Sequence, residues 1–561
     1  MAAMTSRRLR LLALSAALLS ATFLLGPGVP VHAADADQDL KDLMCSIPRE
    51  YLLRTWNDWT SDRGAELTYV AQEPNFVGSG LPHVGPWDYI QRVPMLWYGP
   101  GYIKAQGQVD RPVTLADIAP TQAALMDFDG FHAPDGKSMT EALDPSVGAS
   151  DYQPPKLEVT LIWDAGGMNV LQTHPDSWPF LKSLIDKGTF YPDAVVGLSP
   201  TSTAQSHATI GTGAFPDHNG IIGHHFRVGA TMVEPWGNGP SYFVLPTFAD
   251  VYDKAMDNEP VVGIVATADI HYGMLGHGSF WHGGDRDVGI TRSVANPETS
   301  TEEGDAWNLP PKLATYYRLA EYVNDPALED VLKSARDKLD RADGQFDGNW
   351  RQNNIEELAN GFETPAKIPY EEAVLEKILE TEKFGQDDTP DLMYTNFKQI
   401  DYVSHIWSMN SPEMEDSVVY QDEALKRLVE YLDETVGKGN YVLNLTADHG
   451  AMPDPNVSGG YQISNNQIEG AIESTYDTDG DDVPVVDLVQ PSNVYLNLAE
   501  LEDNGGTLSD VARTVMALTQ AETQGSGITP QPGHENDPVF QAVFPTEMLA
   551  DLPCWKPPAG G

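Results

Sequence analysis

Four short stretches place acids and histidines just past apolar runs. They are Asp164 in LIWDAGG, the Ser/Thr/His-rich LSPTSTAQSHATIGTGAFPDHNGIIGHHF (198–226), Asp401 and His405 in DYVSHIW, and the adjacent Asp448 and His449 in LTADHGAM. Carboxylates mixed with imidazoles suit Zn²⁺ or a similar borderline ion, whereas oxygen-only sets point to Ca²⁺ or Mg²⁺. An Asp and a His four residues apart can clasp one ion from one helical face. In Asp-His-Gly the glycine permits a tight turn, so both side chains can face a ligand. Taken singly, the first pattern is usually a solvated helix face and the second an ordinary turn. Four such stretches in this order, each ending an apolar run, form a metal-site pattern. A fifth stretch, LPHVGPWDYIQRVPMLWYGPG (81–101), sets His83 in a Gly/Pro-rich loop ahead of an apolar strand, Val93 to Tyr98, with no partner nearby in the sequence.

These side chains need a scaffold that delivers them to one place. LEVTLIWDAGG is a continuous β-rich run ending in an acid and two glycines, the pattern of a buried parallel strand with a functional residue at its C-terminal end. Strand and helix then alternate: DSWPFLKSLIDKG helical, VVGIVATA strand, PDLMYTNF strand, YQDEALKRLVEYLDETVG amphipathic helix, NYVLNLTADHG strand. The fold class expected is α/β, a mostly parallel central sheet flanked by helices, with ligands at the strand carboxyl ends. Residues 34–143 read as an N-terminal segment of short strands and turns ending in a short helix near VTLADIAPTQAALMDF, and 144–158 as a Pro/Ser/Gly-rich linker. The core follows in two parts, 159–290 and 384–498, interrupted at 291–383 by a charged, helix-rich stretch expected to be an inserted cap. A C-terminal segment, 499–561, completes the chain.

The 561 residues carry a formal charge of −48, which disfavours nucleic-acid duplexes and anionic membrane surfaces as partners. An anionic substrate would have to overcome that field locally, and bound cations do so directly. Residues 1–33, with Arg7, Arg8 and Arg10 before an apolar run and a small-residue end at Val31-His32-Ala33, read as a secretory signal. Beyond it no apolar run is long enough to span a membrane, so a secreted or periplasmic location is expected. The two cysteines, Cys45 and Cys554, would most simply form one disulfide in an oxidising compartment, two buried thiols being the alternative.

In TAQSHATIGTG, DYVSH and ADHG, in that order, the chain resembles the alkaline phosphatase superfamily, specifically its type I phosphodiesterase/nucleotide pyrophosphatase-like branch. The resemblance runs from Glu158 to about Leu498. It implies an alkaline phosphatase-like fold and a secreted phosphoric-ester hydrolase acting on small phosphate esters, with Thr203 as nucleophile and Thr201 and Ser202 as loop hydroxyls. Two zinc ions per chain are implied, one held by Asp164, Asp448, His449 and the Thr203 oxygen, the other by Asp401, His405 and one further histidine. In the family that histidine follows the D-H-G, in a segment that PHVGPWDYIQRVPMLWYGPG…LADIAPT matches closely. His83 is therefore the expected ligand, and circular permutation the explanation of its early position; His534 in QPGHENDPVF is the rival. The chain departs from the family at Gln205-Ser206, where Pro-Gly is usual, and at Ser404, where Gly is usual. His224 stands where a phosphate-contacting Asn is usual, so His224 and His207 are the expected substrate contacts. No Lys-x-Arg pair of the monoesterase type is evident, which favours diesters or pyrophosphate-linked nucleotides over an alkaline phosphomonoesterase. A different class of reading is a non-catalytic secreted binding protein with a vestigial metal site.

Overall fold

Seven consecutive buried residues, Leu157–Trp163, form a strand near the middle of the central sheet. Successive side chains point to opposite faces: Leu157, Val159, Leu161 and Trp163 enter one apolar core, while Ile162 enters a second beneath the sheet. A strand covered on both faces must be apolar almost throughout, which is why the sequence shows a run rather than an alternation. The structure is a computed structural model and describes residues 37–293, 303–358, 364–525 and 529–556. The expected leader, 1–33, lies outside the described residues.

Among the described residues the central sheet has ten strands. Its order is Glu303–Asn308, Val288–Ser293, Val262–Val265, Asp391–Phe397, Leu157–Trp163, Tyr441–Thr446, Arg92–Tyr98, Thr189–Val195 and Gly107–Gln108, with Arg318–Leu319 also paired to Val288–Ser293. The five strands from Val288–Ser293 to Tyr441–Thr446 are mutually parallel. The α/β class with a mostly parallel sheet is the one observed. Arg92–Tyr98 differs, running antiparallel to both of its neighbours.

Register decides what meets at the sheet edge. Phe397 pairs with Trp163 and Thr446 with Ile162, so the segments carrying Lys398, Asp164 and Asp448 emerge side by side. Met95 pairs with Thr446 in the antiparallel strand. The chain preceding Arg92, rather than the chain following Tyr98, therefore lies at this same edge. A parallel strand in that position would have carried the His83 loop to the opposite edge.

Helices cover both faces. Pro179–Ile185, Lys367–Glu382 and Pro412–Leu432 pack on one, and Ile118–Leu125, Thr203–Thr212 and Phe248–Ala255 on the other. In the longest, Met414, Val418, Leu425, Leu428 and Leu432 make one buried stripe. Burying each such side chain contributes about 1.5–3 kcal/mol. The sequence pattern locates this helix from Tyr420 onward, but its observed start is Pro412. Ser411 caps it by accepting the Met414 N–H at 3.0 Å, and proline needs no hydrogen bond at the first helical position.

Within the stretch expected to be an inserted cap, Glu303–Asn308 and Arg318–Leu319 extend the central sheet and Lys367–Glu382 packs into its core. One region differs from expectation. The N-terminal segment, expected as strands and turns, opens with two helices, Gln38–Met44 and Arg49–Trp56. Leu40 and Met44, four apart, present one buried edge, a helical spacing within a mostly polar stretch. Leu67–Ala71 then joins Val486–Gln490, Asn493–Leu496 and Phe540–Pro545 in a separate four-stranded antiparallel sheet. The disulfide between Cys45 and Cys554 is present there, with Cα atoms 5.8 Å apart.

Candidate metal and active site

The Asp164 turn is built by close backbone packing. Ala165 takes φ +57°, and its N–H donates to Asp448 Oδ1 at 3.0 Å. A Cβ added to Gly167 would sit 2.5 Å from the Gly450 Cα, so the D-A-G-G and D-H-G turns can touch only because both positions are glycine. This contact presses Asp164, Asp448 and His449 together, all fully buried. His449 Nε2 lies 3.3 Å from Asp448 Oδ2 and 3.7 Å from Asp164 Oδ1.

Asp401 and His405 share one face of the helix Gln399–Trp407, with His405 Nε2 3.3 Å from Asp401 Oδ1. His83 reaches them from its distant place in the chain. Its Nε2 lies 3.1 Å from Asp401 Oδ1, and its ring stacks on that of His449 with centroids 3.6 Å apart. Ligand atoms of His83, Asp401 and His405 all lie within 4.8 Å of one another, and so do those of Asp164, Asp401 and His449. His534 is not brought here. It sits in an exposed turn with Nδ1 2.7 Å from Asp537 Oδ2, because the polar QPGHENDP stretch contains nothing to bury.

Thr203 begins the helix Thr203–Thr212, every residue of which is buried. The three neighbouring hydroxyls are sorted by their bonds. Thr201 donates to the His83 carbonyl at 2.7 Å and Ser202 donates to Gln205 Oε1. Among the described residues the Thr203 hydroxyl has no hydrogen-bond partner. It sits where the unpaired N–H groups of a helix start favour negative charge. The helix is held low over the site by the turn Asp269–Met274: a Cβ on Gly211 would lie 2.4 Å from the Gly273 carbonyl oxygen.

His207, expected to touch substrate, is instead wholly enclosed. Its Nδ1 donates to the Thr203 carbonyl at 2.8 Å, and its Nε2 accepts from Asn396 Nδ2 at 3.0 Å. Burial holds its pKa down at about 4, so the ring is neutral, as that bonding pattern requires. His224 is also held neutral, at about 3, by burial and then by Lys398 and His83. Its Nε2 is buried without a partner.

Three further residues complete the site. Lys398 places Nζ 3.1 Å from Asp164 Oδ2 and 2.8 Å from Asp401 Oδ2. Burial disfavours its charge, but Asp164, Asp401 and Asp448 outweigh that and raise its pKa. Asn396 Nδ2 and His271 Nε2 approach the same Asp164 oxygen at 3.0 and 3.2 Å. His271 carried a signal like the others, following the strand VVGIVATA closely, and Lys398 directly follows PDLMYTNF. Asn396 lies inside a continuous strand and gave none.

Electrostatics and unpaired atoms together test whether metal ions fit. Asp401 and Asp448 are buried, yet both are held below the usual carboxylate range. Burial opposes their ionisation, but Lys398 and His405 act on Asp401 and His449 on Asp448 more strongly. His449 is raised to about 9, its burial outweighed by Asp448. His83 Nδ1, His449 Nε2, Asp164 Oδ1, Asp401 Oδ1 and Asp448 Oδ2 are all buried and make no hydrogen bond. Three of these five atoms face other ligand groups without an aligned hydrogen bond: Asp401 Oδ1 lies against His83 and His405, and Asp448 Oδ2 against His449 Nε2. Carboxylate and imidazole atoms crowded in this way are the arrangement metal ions satisfy. The residues fit.

A family model described as type I phosphodiesterase / nucleotide pyrophosphatase matches residues 159–537. The sequence is 26% identical over 341 residues to alkaline phosphatase PhoV of Synechococcus elongatus, covering 55% of this chain and 62% of that protein. It is likewise 26% identical over 343 residues to a Myroides odoratus protein named calcium-transporting ATPase, with the same two coverages, 55% and 62%. The chain thus spans 62% of the length of these two relatives. Among solved structures, a variant of alkaline phosphatase PafA aligns over 70% of this chain and 86% of that one, at 18% identity and a TM-score of 0.48. The family match begins just past the 144–158 linker and leaves His83 outside it.

Proposed function

Because this chain belongs to the type I phosphodiesterase / nucleotide pyrophosphatase family, within the alkaline phosphatase superfamily, we propose that it is a secreted, metal-dependent phosphoric-ester hydrolase with Thr203 as its nucleophile. The observation that carries this reading is the set of crowded, buried donor atoms beside the helix that Thr203 begins. Asp164, Asp448, His449 and the Thr203 oxygen would hold one ion, and Asp401, His405 and His83 the other. The mixed nitrogen and oxygen donors favour zinc, two per chain. Bound there, the pair would supply Lewis-acid charge to the attacking and departing oxygens of phosphoryl transfer.

Thr203 Oγ1 loses its proton to solvent and attacks phosphorus in line, and the leaving oxygen departs with its bonding pair and takes a proton from water. The phospho-threonine is then cleaved by a second water, which releases the phosphate product and returns a proton to Oγ1. The helix start stabilises the negative charge that Oγ1 develops and the phosphoryl oxygens beside it. His207 fixes the Thr203 backbone from below, since its ring donates to that carbonyl. Neutral His224 supplies a donor for a phosphoryl oxygen, its buried nitrogen being otherwise unpaired.

Phosphodiesters or pyrophosphate-linked nucleotides are the substrates proposed, as no Lys-x-Arg grip is evident. The names of relatives favour the second reading, a phosphomonoesterase. Comparing kcat/KM on bis(nitrophenyl) phosphate and nitrophenyl phosphate separates the two. The order of the motifs is best accounted for by circular permutation, supported by the family match beginning only at residue 159. Secretion is supported by the disulfide.

Thr203→Ala tests the central claim. Turnover on both substrates should fall at least about a thousand-fold, with metal content unchanged at about two ions per chain. Wild-type rates in that variant would remove Thr203 from the mechanism. Metal bound by the wild-type protein without turnover of either ester would favour the vestigial binding protein.

A further inference from the structure

On the far side of the central sheet from Asp164, three carboxylates converge. Asp253 lies on the helix Phe248–Ala255, and Asp285 and Asp287 lead into the strand Val288–Ser293. That strand is parallel to Val262–Val265 and its neighbours, so the residues before it lie at the edge opposite the catalytic one. One carboxylate oxygen from each of the three lies within 4.8 Å of the others.

A cluster of acids is common on a surface this negative, and two observations set this one apart. Asp253 is only 5% exposed, and its Oδ1 is buried without a hydrogen-bond partner. One turn earlier, Asp250 shows what a structurally committed carboxylate looks like. It accepts from the N–H groups of Thr247, His277 and Gly278 and from the Thr247 hydroxyl. Asp253 has no such set. Among the described residues no salt bridge reaches the three acids from the nearby cations. Arg318 pairs with both oxygens of Glu382 while still drawing Asp287 down from a distance, Arg286 Nη1 lies 3.5 Å from the Ala314 carbonyl oxygen, and Lys254 Nζ lies 5.1 Å from the Trp281 ring centre.

We propose that Asp253, Asp285 and Asp287 form a separate binding site for a hard divalent cation, of which calcium is the best match. All three donors are carboxylate oxygens with no imidazole or thiolate among them, the set that calcium prefers and zinc does not. Calcium also tolerates irregular geometry and fills its remaining positions with water, and the exposed side of Asp285 leaves room for water. Without a cation, burial and the neighbouring acids raise Asp253 to about 7 and push Asp287 well above the carboxylate range. Such a site takes no part in the chemistry. Its ion would fasten the helix Phe248–Ala255 to the start of the strand Val288–Ser293.

The test uses the full chain with its other metal sites loaded with zinc. Calcium is titrated by calorimetry in calcium-free buffer, and the melting temperature is recorded with and without it. One calcium per chain should bind and raise the melting temperature. Asp253→Asn/Asp287→Asn should lose both effects while hydrolysing esters at the wild-type rate in calcium-free buffer. Asp401→Asn, altered on the opposite edge, should keep the calcium response. Asp285→Asn changes an exposed side chain, and should weaken calcium binding about tenfold or more, about 1.4 kcal/mol. An unchanged calcium isotherm in Asp285→Asn would overturn the proposal, as would no calcium binding by the wild-type protein. Failure of this site would leave the reading of Thr203 untouched, because the two share no residue.

Discussion

Thr201, Ser202 and Thr203 show how differently neighbouring hydroxyls are placed: two are committed to acceptors, and the third, the proposed nucleophile, is left open among the described residues. Lys398 makes the same point for charge. It stands between Asp164 and Asp401, the only lysine to pair with either among the described residues. Removing it strands two buried carboxylates. Lys398→Gln should therefore lower the stability of the metal-free protein by about 3 kcal/mol, read from urea unfolding. The difference should shrink once metal is bound, because cations then replace the missing charge. The acids and histidines that the sequence made legible all lie at the ends of apolar runs, where a polar side chain has few structural reasons to be. Lys398 has the same position but reads as a solvated charge closing a strand. Asn396 is hidden because a strand buried on both faces gives no alternation from which to learn where a polar side chain points.

At the scale of the element, the strand Leu157–Trp163 carries an acid that its apolar setting punishes. Glu158 is 1% exposed and neither carboxylate oxygen has a hydrogen-bond partner. Burial raises its pKa from the ordinary 4.5 to about 8, the nearby Gln122 amide donating instead to Thr160 at 3.0 Å. Between those two values the folded chain holds a proton that the unfolded chain releases. Stability therefore falls as pH rises from about 4.5 to about 8 and is level again above that. Glu158→Gln should flatten this slope, with a gain on the order of 3 kcal/mol at pH 9, measured by denaturant unfolding across pH. The parallel strands were legible as unbroken apolar runs bounded by turns. The orientation of Arg92–Tyr98 was not, because a strand covered on both faces has the same composition in either direction. Yet that orientation is what brings His83 to the edge where Asp164, Asp401 and His449 converge.

Across the whole molecule, the two ends of the described chain are joined by Cys45–Cys554 around a small core of Met44, Leu52, Phe544, Leu549 and Trp555. Replacing both cysteines with serine should cost about 2–5 kcal/mol, seen as a lower melting temperature that reducing agent no longer changes. Cysteine counting suggested this bridge. The second sheet it supports was not legible, because its strands come from residues 67–71 and 486–545, and no local pattern links segments so far apart. Arg92–Tyr98 has a last, practical consequence. It is hydrogen-bonded on one side to Tyr441–Thr446 and on the other to Thr189–Val195, so it is an inner plank and not a fringe. A recombinant fragment trimmed to start at residue 159, where the family match starts, would split the β-scaffold in two. It would expose a raw backbone rim on each half, ready to recruit neighbouring chains into aggregates.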